Sequence, residues 1–237
     1  MRGRVVLVTE GSHGIGAAAS RLFGSLGATV VVHHRRDRAA ADAVGSAVDA
    51  SGGRALIARA TLTLPCDVTQ MASTIRLAVG YIDTVVVNPS AEALFGSVLD
   101  LSFAAYEHML SSETAAATRL CRAFAPAMRA ARTGWIVAVG STVSRPGVNE
   151  AVRIASLAAL QAVVRAITRE IGFTSIDVSS VAPGCTAGEP GMGARHRTAR
   201  AAQAAPDTAA AVVAAACILS PRPSVAKLSA ANGTRPW

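Results

Sequence analysis

Short, unbroken apolar runs recur along this chain, each followed by a longer stretch whose apolar positions fall three or four residues apart. The first run is Val5–Val8. A helix is predicted from about Ile15 to Leu26, a strand over Thr29–Val32 and a polar, arginine-rich helix over Arg38–Ala50. A strand near Arg54–Arg59, a helix near Val68–Val79 and a strand at Thr84–Val87 continue the series. A long helix carrying Met109, Leu110 and Leu120 precedes a strand at Trp135–Val139. Another, about Ala151–Ile171, precedes a strand at Ile176–Val181. Strands that are apolar at every position have no solvent face and belong in a parallel sheet covered on both sides by helices. The pattern predicts an α/β fold over residues 1–237, a single doubly wound domain with a mostly parallel sheet of about seven strands. No repeat, linker or shift of composition marks a second domain. In such sheets ligands sit beyond the carboxyl ends of the strands, where the strand order reverses, so residues just after each strand are the candidates.

Composition adds boundaries rather than a function. A chain of 237 residues with 51% hydrophobic content can bury a substantial core and is not a disordered chain. Its net charge of +8 invites a nucleic-acid reading. The basic residues are scattered, however, with no run longer than Arg35-Arg36, and no aromatics interleave them to stack bases, so no nucleic-acid partner is expected. Cys66, Cys121, Cys185 and Cys217 lie far apart without metal-ligand spacing; no metal, reduced thiols and a cytoplasmic location are expected. The chain starts almost directly in a strand, leaving no room for a signal peptide. Its apolar stretch from Ala209 to Leu219 is too short to span a bilayer, so no membrane partner is expected.

The first predicted strand runs into Thr9-Glu10-Gly11-Ser12-His13-Gly14-Ile15-Gly16. A glycine-rich turn that opens a helix presents backbone N–H groups to a phosphate, though such a turn also serves simply to pack the helix. Together with Val181-Ala182-Pro183-Gly184-Cys185-Thr186 after the sixth strand, this turn makes the chain similar to the short-chain dehydrogenase/reductase family, nearly end to end. The resemblance implies a Rossmann-like domain and a nicotinamide dinucleotide site. Gly11, Ser12, Gly14, Ile15 and Gly16 would receive the pyrophosphate, and Arg35 and Arg36 would favour the 2′-phosphate of NADPH or form only a solvated basic turn. Asn88 survives from the motif ending the fourth strand, and Pro183, Gly184 and Thr186 would meet the carboxamide. Glu10 stands where the family has glycine. Either Gly11 takes over the tight turn and points Glu10 outward, or a carboxylate faces the diphosphate. Asp67 imitates the acid that holds adenine, but counting back from Ile82-Asp83 puts that position at Thr61. Pro89 and Ser90 alter the fourth turn. These changes count against an unmodified NADPH site.

By the same resemblance, catalysis would need Asn, Ser, Tyr and Lys. Ser141 matches the serine, while Glu113, Arg153 and Leu157 stand at the Asn, Tyr and Lys positions. Lys227 is the sole lysine and neither Tyr81 nor Tyr106 has a lysine four residues on, so the Tyr-x-x-x-Lys pair is absent from the sequence. Arginine stays protonated at working pH and is no general acid. Glu113, Ser141 and Arg153 therefore suggest a non-redox enzyme, catalysing enolisation, dehydration or cyclisation of a small carbonyl or polyketide-like substrate, or else a salt bridge plugging the pocket. Two alternatives stand beside it: a silent subunit paired with an active relative, and an NADPH-dependent reductase with an unconventional proton donor. His13 and His108 are expected to be solvated. Assembly as a homo-oligomer (dimer or tetramer), or as a hetero-oligomer with an active family member, would use the two long helices. Residues 187–205 would form a substrate lid.

Overall fold

Valine-rich segments with no polar side are buried on both faces only within a sheet sandwiched by helices. The computed structural model describes residues 1–88, 97, 99–140, 151–171 and 175–182, with 207, 210, 211, 213, 214, 228 and 229. Among them the order is β1 (Val5–Val8), α1 (Gly14–Ser25), β2 (Thr29–His34), α2 (Arg38–Ala50), β3 (Arg54–Arg59), α3 (Pro65–Val79), β4 (Thr84–Val87), α4 (Phe103–Ala131), β5 (Gly134–Val139), α5 (Ala151–Ile171), β6 (Ile176–Ala182) and the two-residue β7 (Leu228–Ser229). The strands form one parallel sheet in the order β3-β2-β1-β4-β5-β6-β7.

Alternate residues serve opposite faces. Val6, Val8, Val30, Val32, Val86 and Val137 pack with Phe23 of α1 and with Val44 and Val48 of α2. Leu7, Val31, Val85, Ile136 and Val178 pack with Ile75 of α3, Leu120 and Met128 of α4, and Leu160 of α5. The winding reverses between β1 and β4, which places a crevice beyond Val8 and Val87.

Two boundaries differ from the pattern by more than one residue, for identifiable reasons. β2 runs to His34 rather than Val32, because His33 and His34 are buried and continue the ladder opposite Ala58 and Arg59. α3 begins three residues early, at Pro65, a first-turn position where the missing N–H costs no bond. Among the described residues, α5 is long and apolar enough to cross a membrane by length and composition alone. Its contacts are those of a layer helix, against α4 and β6.

Candidate cofactor and active site

The carboxyl ends of β1 and β4 are locked together by one hydroxyl. Thr9 is buried, and its Oγ1 accepts from Asn88 N–H (2.8 Å) while its proton is directed toward Asn88 O (3.0 Å) and Val86 O (3.3 Å). This holds Asn88 over the start of α1. A Cβ on Gly16 would stand 2.2 Å from Glu10 O and 3.0 Å from Asn88 Nδ2, so only glycine lets the helix pass under the turn. Gly14, at φ +50°, has open space beside it. The N-cap of α1, His13, makes no side-chain capping bond, which leaves first-turn N–H groups for a ligand. An open, uncapped helix start at the switch point suits a diphosphate.

Glu10 resolves the choice left by the sequence in an unexpected way. Gly11 does not take the turn; Glu10 itself adopts the left-handed conformation, at φ +47°. A non-glycine residue there carries about 1 kcal/mol of strain. Gly11 is required for space instead, since its Cβ would stand 2.9 Å from Val8 O. Both amides turn inward: Glu10 N–H donates to His33 Nδ1 (3.1 Å) and Gly11 N–H to His33 O (2.8 Å). His33 Nε2–H donates to Ala60 O (3.1 Å), and burial holds the imidazole down to about 4.

Ser12 is buried, with its Oγ 2.9 Å from His13 Nδ1. His13 is exposed, as expected, and its Nε2 lies 3.4 Å from Asp37 Oδ2. Asp37 also accepts from Ala40 N–H (2.9 Å) and so caps α2. The half-buried Arg35 and exposed Arg36 sit between β2 and this cap. At the end of β3, Thr61 follows the strand and Asp67 lies in the first turn of α3. Asp67 nevertheless reaches back: its Oδ2 accepts from Thr61 N–H (3.0 Å), a bond that holds the carboxyl below its usual range.

Glu113 on α4 and Arg153 in the first turn of α5 are both half-buried, and these two helices pack on each other. Leu157, one turn on, is buried. His108 is exposed within α4. Gly140 donates its N–H to Val181 O (2.7 Å), and a Cβ on it would stand 2.8 Å from Gln161 Nε2. Ser141, Pro183, Gly184, Cys185, Thr186 and the 187–205 segment lie outside the described residues. The structure thus gathers Gly11, Ser12, Gly14, Ile15, Gly16 and Asn88 around one helix start. Sequence reasoning missed His33, Asp67's return to Thr61, and Gln161; only His33 left a trace, as a polar residue continuing an apolar strand.

The family model for short chain dehydrogenases matches residues 4–200. The chain belongs to that family. It is 32% identical over 185 residues to versicolorin reductase stcU of Emericella nidulans, covering 77% of this chain and 69% of that one. A metagenomic short-chain oxidoreductase in complex with NADP superposes with a TM-score of 0.81 at 29% identity, over 96% of this chain and 97% of that one. A short chain dehydrogenase from Burkholderia cenocepacia J2315, also in complex with NADP, gives 0.80 at 30% identity and 90% coverage of each. These likenesses overturn the expected non-redox chemistry of Glu113, Ser141 and Arg153, because the relatives are reductases and NADP-bound oxidoreductases. Of the replacements that had argued against a cofactor, Pro89 and Ser90 lie outside the described residues.

Proposed function

We propose that this chain binds NADPH and reduces the carbonyl group of a small molecule, using a proton donor other than tyrosine. The observation that carries it is the uncapped start of α1 beside open space at Gly14, with Arg35 and Arg36 just beyond β2. In this reading the N–H groups from Gly14 to Gly16 receive the pyrophosphate. Arg35 and Arg36 supply positive charge for a 2′-phosphate. Asn88 keeps the turn and the end of β4 in register. NADPH, when bound, supplies the hydride; the protein orients the two reactants and provides the proton.

Two features set the chain apart from the family's usual catalysis. Arg153 cannot exchange a proton at working pH, and Leu157 can neither bind ribose nor tune a neighbour. Glu113, half-buried on α4, is the acid to substitute first. Arg153 remains suited to holding an anionic group of the substrate. Assembly through α4 and α5 is part of the same proposal: α5 is strongly apolar, yet only 28% of its most apolar window is buried.

Calorimetric titration with NADPH and NADH tests the cofactor. Micromolar NADPH binding, weakened about tenfold by removing Arg35 and Arg36 together with NADH binding unchanged, is expected. Glu113→Gln should lower kcat for carbonyl reduction while leaving NADPH affinity intact. No binding at ~1 mM NADPH would end the reductase proposal. Binding without turnover on any carbonyl would instead leave a silent subunit.

A further inference from the structure

We propose that His33 is the positioning residue of the dinucleotide turn: a neutral imidazole in a single tautomer that ties the turn after β1 to the end of β3. This rests on the cofactor proposal for its functional consequence, though not for its geometry. His33 is wholly buried and takes both leading amides of the turn, Glu10 N–H on Nδ1 and Gly11 N–H on its carbonyl. Since Nδ1 accepts, Nε2 carries the proton, and it donates to Ala60 O. One side chain therefore links three consecutive parts of the sheet, β1, β2 and β3.

The arrangement explains why Glu10 can occupy a left-handed conformation at all. Strained backbone persists where its surroundings over-determine it, and here the strained residue's own amide is captured by a buried acceptor. With those two amides turned inward, the N–H groups of the α1 start are the ones that face the crevice. A second proton on the imidazole would set an N–H at Nδ1 against the N–H of Glu10, donor against donor, and the tie would break. The ionisable groups on the surrounding elements are Glu10 on the turn, His34 along β2, Arg59 on β3 and Asp67 on α3. Of these, His34 disfavours the cation and reinforces the effect of burial.

The test compares the full chain with His33→Asn, which keeps an acceptor near Nδ1, and His33→Val, which does not. Hydrogen exchange at the amides of Glu10 and Gly11 is read without cofactor, and NADPH affinity is read separately. His33→Val should speed exchange at Glu10 about tenfold and weaken NADPH by a similar factor, with His33→Asn recovering most of the protection at Glu10. Unchanged exchange at Glu10 in His33→Val would overturn the proposal whatever happens to NADPH. Loss of the NADPH proposal would show as wild-type protein that protects Glu10 but binds no cofactor. Should His33→Val fail to fold, nitrogen NMR of the wild-type ring decides. The Nε2–H tautomer between pH 8 and pH 6 is expected, and an Nδ1–H tautomer or an imidazolium there would refute the role.

Discussion

A single side chain, Glu10, sits in a backbone conformation that glycine adopts freely and glutamate does not. Glu10→Gly should raise stability by about 0.5 kcal/mol at most in urea denaturation, the relief of left-handed strain being partly offset by the added freedom of the unfolded chain. Gly16→Ala should act in the opposite direction. The added methyl meets Glu10 O at 2.2 Å, which no rotamer change can relieve because the obstacle is backbone. A loss of about 1–3 kcal/mol in the same assay, together with lost NADPH binding, is the expected result. At this scale the sequence was readable only in part. That Gly14 and Gly16 serve the helix start follows from their spacing. That Glu10, rather than Gly11, would take the positive φ does not follow, because it depends on His33, which is 23 residues away and anchors the amide from another strand.

Elements were legible where burial alone dictates them. β1, β4 and β5 are apolar at nearly every position, so both their existence and their parallel pairing follow from the pattern. Their ends were harder to place, because polar residues with buried partners extend them: β2 continues through two histidines that composition would assign to a turn. Helix starts depend on local chemistry of the same kind. Asp37 caps α2 and also meets His13 of the turn after β1, so Asp37→Ala should cost about 1 kcal/mol of stability through the lost cap. Urea denaturation would measure it; a loss confined to a few tenths would mean that solvent replaces the cap.

For the whole molecule, two buried groups pull stability in opposite directions with pH. His33 is held at about 4, against 6.5 in the unfolded chain, so below pH 6.5 the unfolded state takes a proton that the fold refuses. Its contribution is complete above 6.5 and is lost as pH falls toward 4, about 3 kcal/mol in all. Asp177, buried near the start of β6 with no hydrogen-bond partner among the described residues, is pushed up to about 6 by desolvation. Its protonated form favours the fold below 3.8, and that contribution is lost as pH rises through 6. Asp177→Asn should therefore stabilise the protein at pH 8 by about 1 kcal/mol, allowing for solvent screening, and leave it unchanged at pH 3.5. Denaturant midpoints at both pH values check the sign.

The lock between Thr9 and Asn88 also sets an order of events during folding. These residues lie 79 apart in sequence, whereas β1, β2 and β3 are joined by local crossovers completed within the first 59 residues. Bringing distant segments together is slow relative to local pairing. The half-sheet β1–β2–β3, with its turn already fastened by His33, is thus the piece equipped to form early, and the docking of β4 completes the crevice afterwards. A truncated or stalled chain ending before β4 would hold the turn after β1 but lack the wall that Asn88 provides. Under the cofactor proposal, competence to hold a dinucleotide would in this sense be a late-arriving property of the chain, and dinucleotide retention by a folding intermediate would report that β4 has docked.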